Sequence, residues 1–158
     1  MLAAGCGSPA QDMGAKDHLP PPQDYPAGFV LLTRNAATEA LLEDYGFAEN
    51  PGLLNTSAFP PLGGVAPQEV AGLALRKVPG AQVRVVMVFA MTFADPDALL
   101  QYVMATSHCD SPMPPVPAGP SGMLLVLAEP PSDAELQANA QAFHASLAKG
   151  QGRVCPKT

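Results

Sequence analysis

The chain has 158 residues, enough for one domain with a sizeable core, and its 47% hydrophobic content excludes global disorder. A net charge of −6 and a sequence pI near 4.8 leave no basic patch to neutralise phosphates, which argues against nucleic acid and against electrostatic attachment to anionic lipid. No apolar run reaches the roughly 18 residues of a membrane-spanning helix, and the charged fraction of 14% is low for a cytosolic surface.

The first feature in chain order is Met1-Leu2-Ala3-Ala4-Gly5-Cys6. Small side chains at Ala4 and Gly5, directly ahead of a cysteine, suit a signal peptidase cleft. The stretch Leu2 to Cys6 resembles the lipobox of bacterial lipoproteins. The resemblance implies cleavage before Cys6, a diacylglycerol on its thiol, and extracytoplasmic attachment to a bacterial membrane. It favours the outer membrane or cell surface, because Gly7 stands where the enteric inner-membrane retention signal has Asp. The basic and apolar regions of such a signal are expected upstream of Met1.

Three cysteines is an odd count for a secreted chain. With Cys6 as lipid attachment, as the resemblance implies, Cys109 and Cys155 remain as one disulfide pair. Their bridge would close a loop of about 47 residues and stabilise by roughly 4 kcal/mol in the chain-entropy model. The alternative is two free buried thiols.

Gly7 to Ala27 carries Pro9, Pro20-Pro21-Pro22 and Pro26 without helical or strand periodicity, and is expected to be a flexible tether. The domain organisation is therefore a lipobox remnant over 1–6, a tether over 7–27 and a globular domain over 28–158. Phe29-Val30-Leu31-Leu32 predicts a buried strand. Asn35 suits a helix N-cap, Leu41, Leu42 and Tyr45 share one face, and Gly46 suits the C′ position. Phe47 to Val70, with Pro51, Pro60, Pro61, Pro67 and Gly63-Gly64, is expected to be a long loop.

Leu73–Val78 and Val83–Phe93 predict a hairpin about Pro79-Gly80. In the second strand Val83, Val85, Met87, Phe89, Met91 and Phe93 point to one face and Val86, Val88 and Ala90 to the other. Such a strand is central and covered on both sides. Asp95-Pro96-Asp97 starts a helix with a capping carboxylate, Pro at N1 and a first-turn acid. Leu99, Leu100, Val103 and Met104 continue it to about Ser107. After a proline-rich loop from Ser111 to Pro120, Met123–Leu127 is a strand. Ser132-Asp133-Ala134-Glu135 reads as a capping box. Leu136, Ala140, Phe143 and Leu147 form one helical face, ended by Lys149-Gly150.

The order strand, helix, strand, strand, helix, strand resembles the ferredoxin-like βαββαβ fold, an α+β antiparallel sheet, here with an additional C-terminal helix. The resemblance is topological, spans about Gly28 to Gly150, and implies central positions for the first and third strands. A ferredoxin-like sheet has helices on one face only, so the doubly apolar strand needs a second cover. The C-terminal helix, a partner subunit in a homodimer, or a small apolar ligand would each serve.

No catalytic constellation stands out. Met104, His108, Cys109 and Met113 gather donors suited to copper(I), but an apolar helix face and a disulfide account for most of them, and no resident cofactor or metal is expected. His18, His108 and His144 sit without nucleophile spacing. Gly119-Pro120-Ser121-Gly122 is a turn rather than a nucleophile elbow. Gly63-Gly64 lacks the Gly-Lys-Ser/Thr of a phosphate loop. Asn55-Thr56-Ser57 fits a glycosylation sequon, a frequent chance match. The expectation is a non-enzymatic binding or interaction module at the cell envelope, held to the membrane through Cys6 and meeting an envelope protein partner. A small ligand carrier or enzyme of dimeric α+β-barrel type is the alternative, with a cavity lined by Met87, Phe89 and Met91. A cytosolic chain with a chance lipobox would instead keep free thiols.

Overall fold

The computed structural model describes residues 14–156. It is a mixed α+β domain built on a six-stranded, fully antiparallel sheet. The strands are β1 (Phe29–Leu31), β2 (Gly52–Leu53), β3 (Glu69–Lys77), β4 (Val85–Thr92), β5 (Val116–Pro117) and β6 (Gly122–Glu129). The helices are α1 (Glu39–Asp44), α2 (Pro96–Met104) and α3 (Ala134–Ala148). The sheet runs β1-β3-β4-β6-β5, with β2 also paired to β3.

The expected centre of the sheet is confirmed. β4 pairs along its whole length with β3 on one side and β6 on the other. Its side chains alternate between two cores. Val86, Val88 and Ala90 join Leu136, Ala140 and Phe143 of α3. Val85, Met87, Phe89 and Met91 join Leu42 of α1 and Leu99, Tyr102 and Val103 of α2. Both faces are thus covered by the chain's own elements. Of the three covers expected for the second face, the C-terminal helix is the one that supplies it.

The strand order departs from the ferredoxin-like one. Among the described residues β1 lies at the sheet edge and pairs only with β3, opposite Leu75–Lys77. Its apolar run suggested a buried strand, yet Val30 and Leu31 are 49% and 37% exposed while Phe29 and Leu32 are buried. A short apolar run looks the same at an edge as at a centre, because periodicity does not report the neighbour.

Part of the stretch 7–27 expected to be a tether is instead folded against the domain. Residues 7–13 lie outside the described residues, but from Gly14 the chain is packed on the sheet. Ala15 is fully buried, and Leu19 and Tyr25 pack against the α3-side core. The Ala15 N–H donates to Glu69 Oε1 at 2.9 Å. Pro21 and Pro22 start a single 3₁₀ turn, Pro22–Asp24, and do not keep the segment free.

The Phe47–Val70 segment is also more structured than a loop. It contains β2 and a 3₁₀ turn at Thr56–Ala58, and it sends Phe47 and Leu54 into the core. α1 starts at Glu39 rather than after Asn35, whose side chain instead accepts from the Ala37 and Thr38 N–H groups at 2.8 and 3.1 Å. α2 begins as its sequence dictates, with Asp95 accepting from Ala98 N–H at 2.8 Å and Pro96 at the first position. The cap of α3 is Asp133, one residue later than the box predicted, and it accepts from Leu136 N–H at 2.9 Å. Among the described residues no helix is long and apolar enough to cross a membrane.

Candidate functional site

The cysteine pair is the most specific chemical feature of the domain. A disulfide joins Cys109 and Cys155, with Cα atoms 5.8 Å apart, within the span a bridge requires. Cys109 follows α2 in a 3₁₀ turn, and Cys155 follows α3 in the C-terminal segment. The bond therefore ties the ends of two helices that lie on opposite faces of the sheet.

Beside the bond lies a cleft of about 330 Å³, lined also by Pro114, Pro115, Pro117, His144 and Arg153. His144 is partly buried, and its Nε2 lies 2.7 Å from the Pro114 carbonyl oxygen. A carbonyl only accepts, so Nε2 carries the proton and donates. That bond holds α3 to the proline loop. Arg153 is exposed and forms no ion pair among the described residues.

A second cleft of about 330 Å³ is more polar, with His18, Gln68, Glu69, Thr92 and Ser121 among its lining. Two of its side chains are committed to the fold. Glu69 receives the Ala15 N–H, and Ser121 Oγ donates to the Phe93 carbonyl at 3.1 Å. Among the described residues no Ser or Thr hydroxyl is bonded to a histidine ring; the hydroxyls of Thr106 and Ser146, like that of Ser121, donate to backbone carbonyls.

The strongest charge cluster also serves the fold. Arg84 reaches Asp133 at 2.6 and 3.0 Å and Glu135 at 2.8 Å, while Lys77 lies 3.3 Å from Glu135. The Arg84 hydrogen bond, then the Leu136 N–H, hold the Asp133 carboxyl below its usual range. Arg84 first, then Lys77, do the same for Glu135. These acids cap and anchor α3; capping accounts for them without a catalytic role.

Met87, Phe89 and Met91 lie on one face of β4, as predicted, and are fully buried. The rings of Tyr45, Phe47 and Phe59 surround Phe89 at centroid distances of 5.6, 6.1 and 5.5 Å. Neither of the two clefts above is lined by any of the three. The soft donors considered for copper are divided. Met104 is 59% exposed at the end of α2, Met113 packs on the α3 side, and Cys109 is oxidised on the α2 side. Burial pushes the His108 pKa below its ordinary value. No group of three or more His, Cys, Asp or Glu side chains suited to a metal occurs among the described residues. Cys6 lies outside them. Sequence reasoning missed the cleft beside the disulfide; the close run of prolines from Pro114 to Pro117 was its only signal.

No protein-family model matches the chain, no curated protein matches it, and no solved structure matches it.

Proposed function

We propose that this chain is a bacterial lipoprotein acylated at Cys6, whose domain is a non-enzymatic binding or interaction module of the cell envelope. The observation that carries the proposal is the Cys109–Cys155 disulfide. Such a bond persists in oxidising compartments, and it uses two of the three cysteines. The third is then the one in the lipobox. The filled core around Phe89 supports a module over a carrier of the dimeric α+β-barrel type, which needs a cavity between sheet and helices. Both sheet faces are covered by the chain's own elements, which leaves neither as a binding surface. The cleft beside the disulfide, apolar and edged by Arg153, which has no acidic partner among the described residues, is the surface proposed for binding. A ferredoxin-like ancestry would require β1 to have moved from centre to edge, and the proposal does not depend on it.

The test is metabolic labelling with an alkyne fatty acid in a bacterium expressing the gene with its native upstream sequence. Label is expected on the wild-type chain in the membrane fraction and is lost in Cys6→Ala. Equal labelling of both, or none in either, would refute acylation at Cys6.

A further inference from the structure

The C-terminal segment after α3 takes an unusual path. α3 packs on one face of the sheet, yet Val154 and Cys155 pack against the core on the opposite face. To get there the chain passes the β5 edge, where Pro117 faces two clefts that also border Arg153 and Val154. We propose that Gly150–Pro156 is a strap latched across this edge by the Cys109–Cys155 disulfide, and that thiol–disulfide exchange with a dithiol releases it.

Apart from that bond and the packing of Val154, little holds the strap. Its one hydrogen bond among the described residues is from Gln151 N–H to the Ala148 carbonyl, at 3.0 Å. Arg153 contributes no ion pair there. A Cβ added at Gly150 or Gly152 would meet nothing within 4 Å. Clefts of about 330 and 280 Å³ border the strap.

The β5 edge cannot zip the strap on as a further strand. Ala118 N–H donates to the Gly122 carbonyl at 3.0 Å, and the register continues as Pro117↔Met123 and Val116↔Leu124. Hydrogen-bonded pairs alternate along an antiparallel ladder. The backbones of Pro115 and Pro117 therefore face outward, and proline has no N–H. This edge offers carbonyls and no donors at those positions, so a two-way ladder is denied. The covalent bond takes the ladder's place.

The bond is also reachable. Both cysteines are partly exposed and both line the larger cleft. A thiolate of the dithiol attacks one sulfur, the protein S–S bond breaks, and a mixed disulfide forms. The second thiol of the reductant displaces it. The protein gains two electrons and two protons as two thiols, and the reductant leaves as its own disulfide. Release merges the two clefts into one groove along β5. The proposal rests on the disulfide and the strap geometry and is independent of acylation at Cys6.

The experiment is backbone 15N relaxation on the full chain, oxidised, reduced with dithiothreitol, and as the Cys109→Ser/Cys155→Ser double variant without reductant. In the oxidised chain, amides of Gln151–Cys155 are expected to have order parameters near 0.8, falling below about 0.6 in the other two samples. Amides of β4 and β6 should stay at rigid values throughout. A strap below about 0.6 already when oxidised overturns the latch. So does a strap that stays rigid after both cysteines are shown by alkylation to be free thiols. So does loss of the β4 and β6 signals on reduction together with the strap, since the bond would then support the whole core.

Discussion

At the scale of single residues, Asn50 and Gly72 decide how the β3 edge is closed. β1 and β2 both pair with that edge and leave a gap at Ala74. Asn50 fills it. Its Oδ1 accepts from Ala74 N–H at 2.8 Å, and its Nδ2 donates to the Ala74 and Leu32 carbonyls at 2.9 and 2.8 Å. The side-chain amide thus replaces the backbone of a missing strand residue. Asn50→Ala leaves the Ala74 N–H and the Leu32 carbonyl without that partner, while the Ala74 carbonyl keeps the Leu32 N–H at 3.0 Å, and should cost about 1–3 kcal/mol in denaturant unfolding. Nearby, a Cβ on Gly72 would sit 2.7 Å from Phe47 Cζ and 2.9 Å from Leu54 Cδ1, both in buried side chains. Gly72→Ala should therefore destabilise by about 1–3 kcal/mol through overpacking. An unchanged midpoint in either variant would show that the edge is looser than described. Neither role was legible in the sequence. Asn50 sits in a stretch that looks like a loop, and the need for glycine at 72 arises from rings that arrive from distant positions.

At the scale of elements, long periodic segments were readable and short ones were not. β4, β6, α2 and the apolar face of α3 follow from alternation, helical spacing and caps. β2 and β5 are two residues each and lie in proline-containing stretches, below the length at which a period exists. The strand order was not readable either, because β1 is held by pairing partners rather than by its own pattern. α3 also carries a pH dependence. Arg84 lowers the pKa of Asp133 and Glu135 from ordinary values near 3.8 and 4.5. Depressed folded values mean that this stabilisation is fully present above the unfolded values and is lost as pH falls through the folded ones. The thermal midpoint should therefore hold above about pH 5 and decline below about pH 4. Arg84→Met should flatten part of that acid limb. An identical acid limb in the variant would remove Arg84 from the account.

At the scale of the whole molecule, the domain is one sheet between two cores, closed by a single cross-link. That cross-link bears on stability and on location together. With a sequence separation of 46 residues, its removal should lower unfolding free energy by roughly 2–4 kcal/mol. Guanidinium unfolding of the Cys109→Ser/Cys155→Ser variant measures this, and a cost near zero would mean that the reduced chain already keeps the loop closed. The sequence alone suggested the pair only through Cys6, by what a lipid-bearing cysteine leaves over. The geometry supports the pair independently, at 5.8 Å between Cα atoms.

The most direct test of the central claim is a non-reducing peptide mass map of the protein purified from bacterial membranes. The account predicts a diacylglycerol on Cys6 at the new N-terminus and one linked peptide containing Cys109 and Cys155. An unmodified Cys6 with Cys109 and Cys155 as free thiols would contradict it.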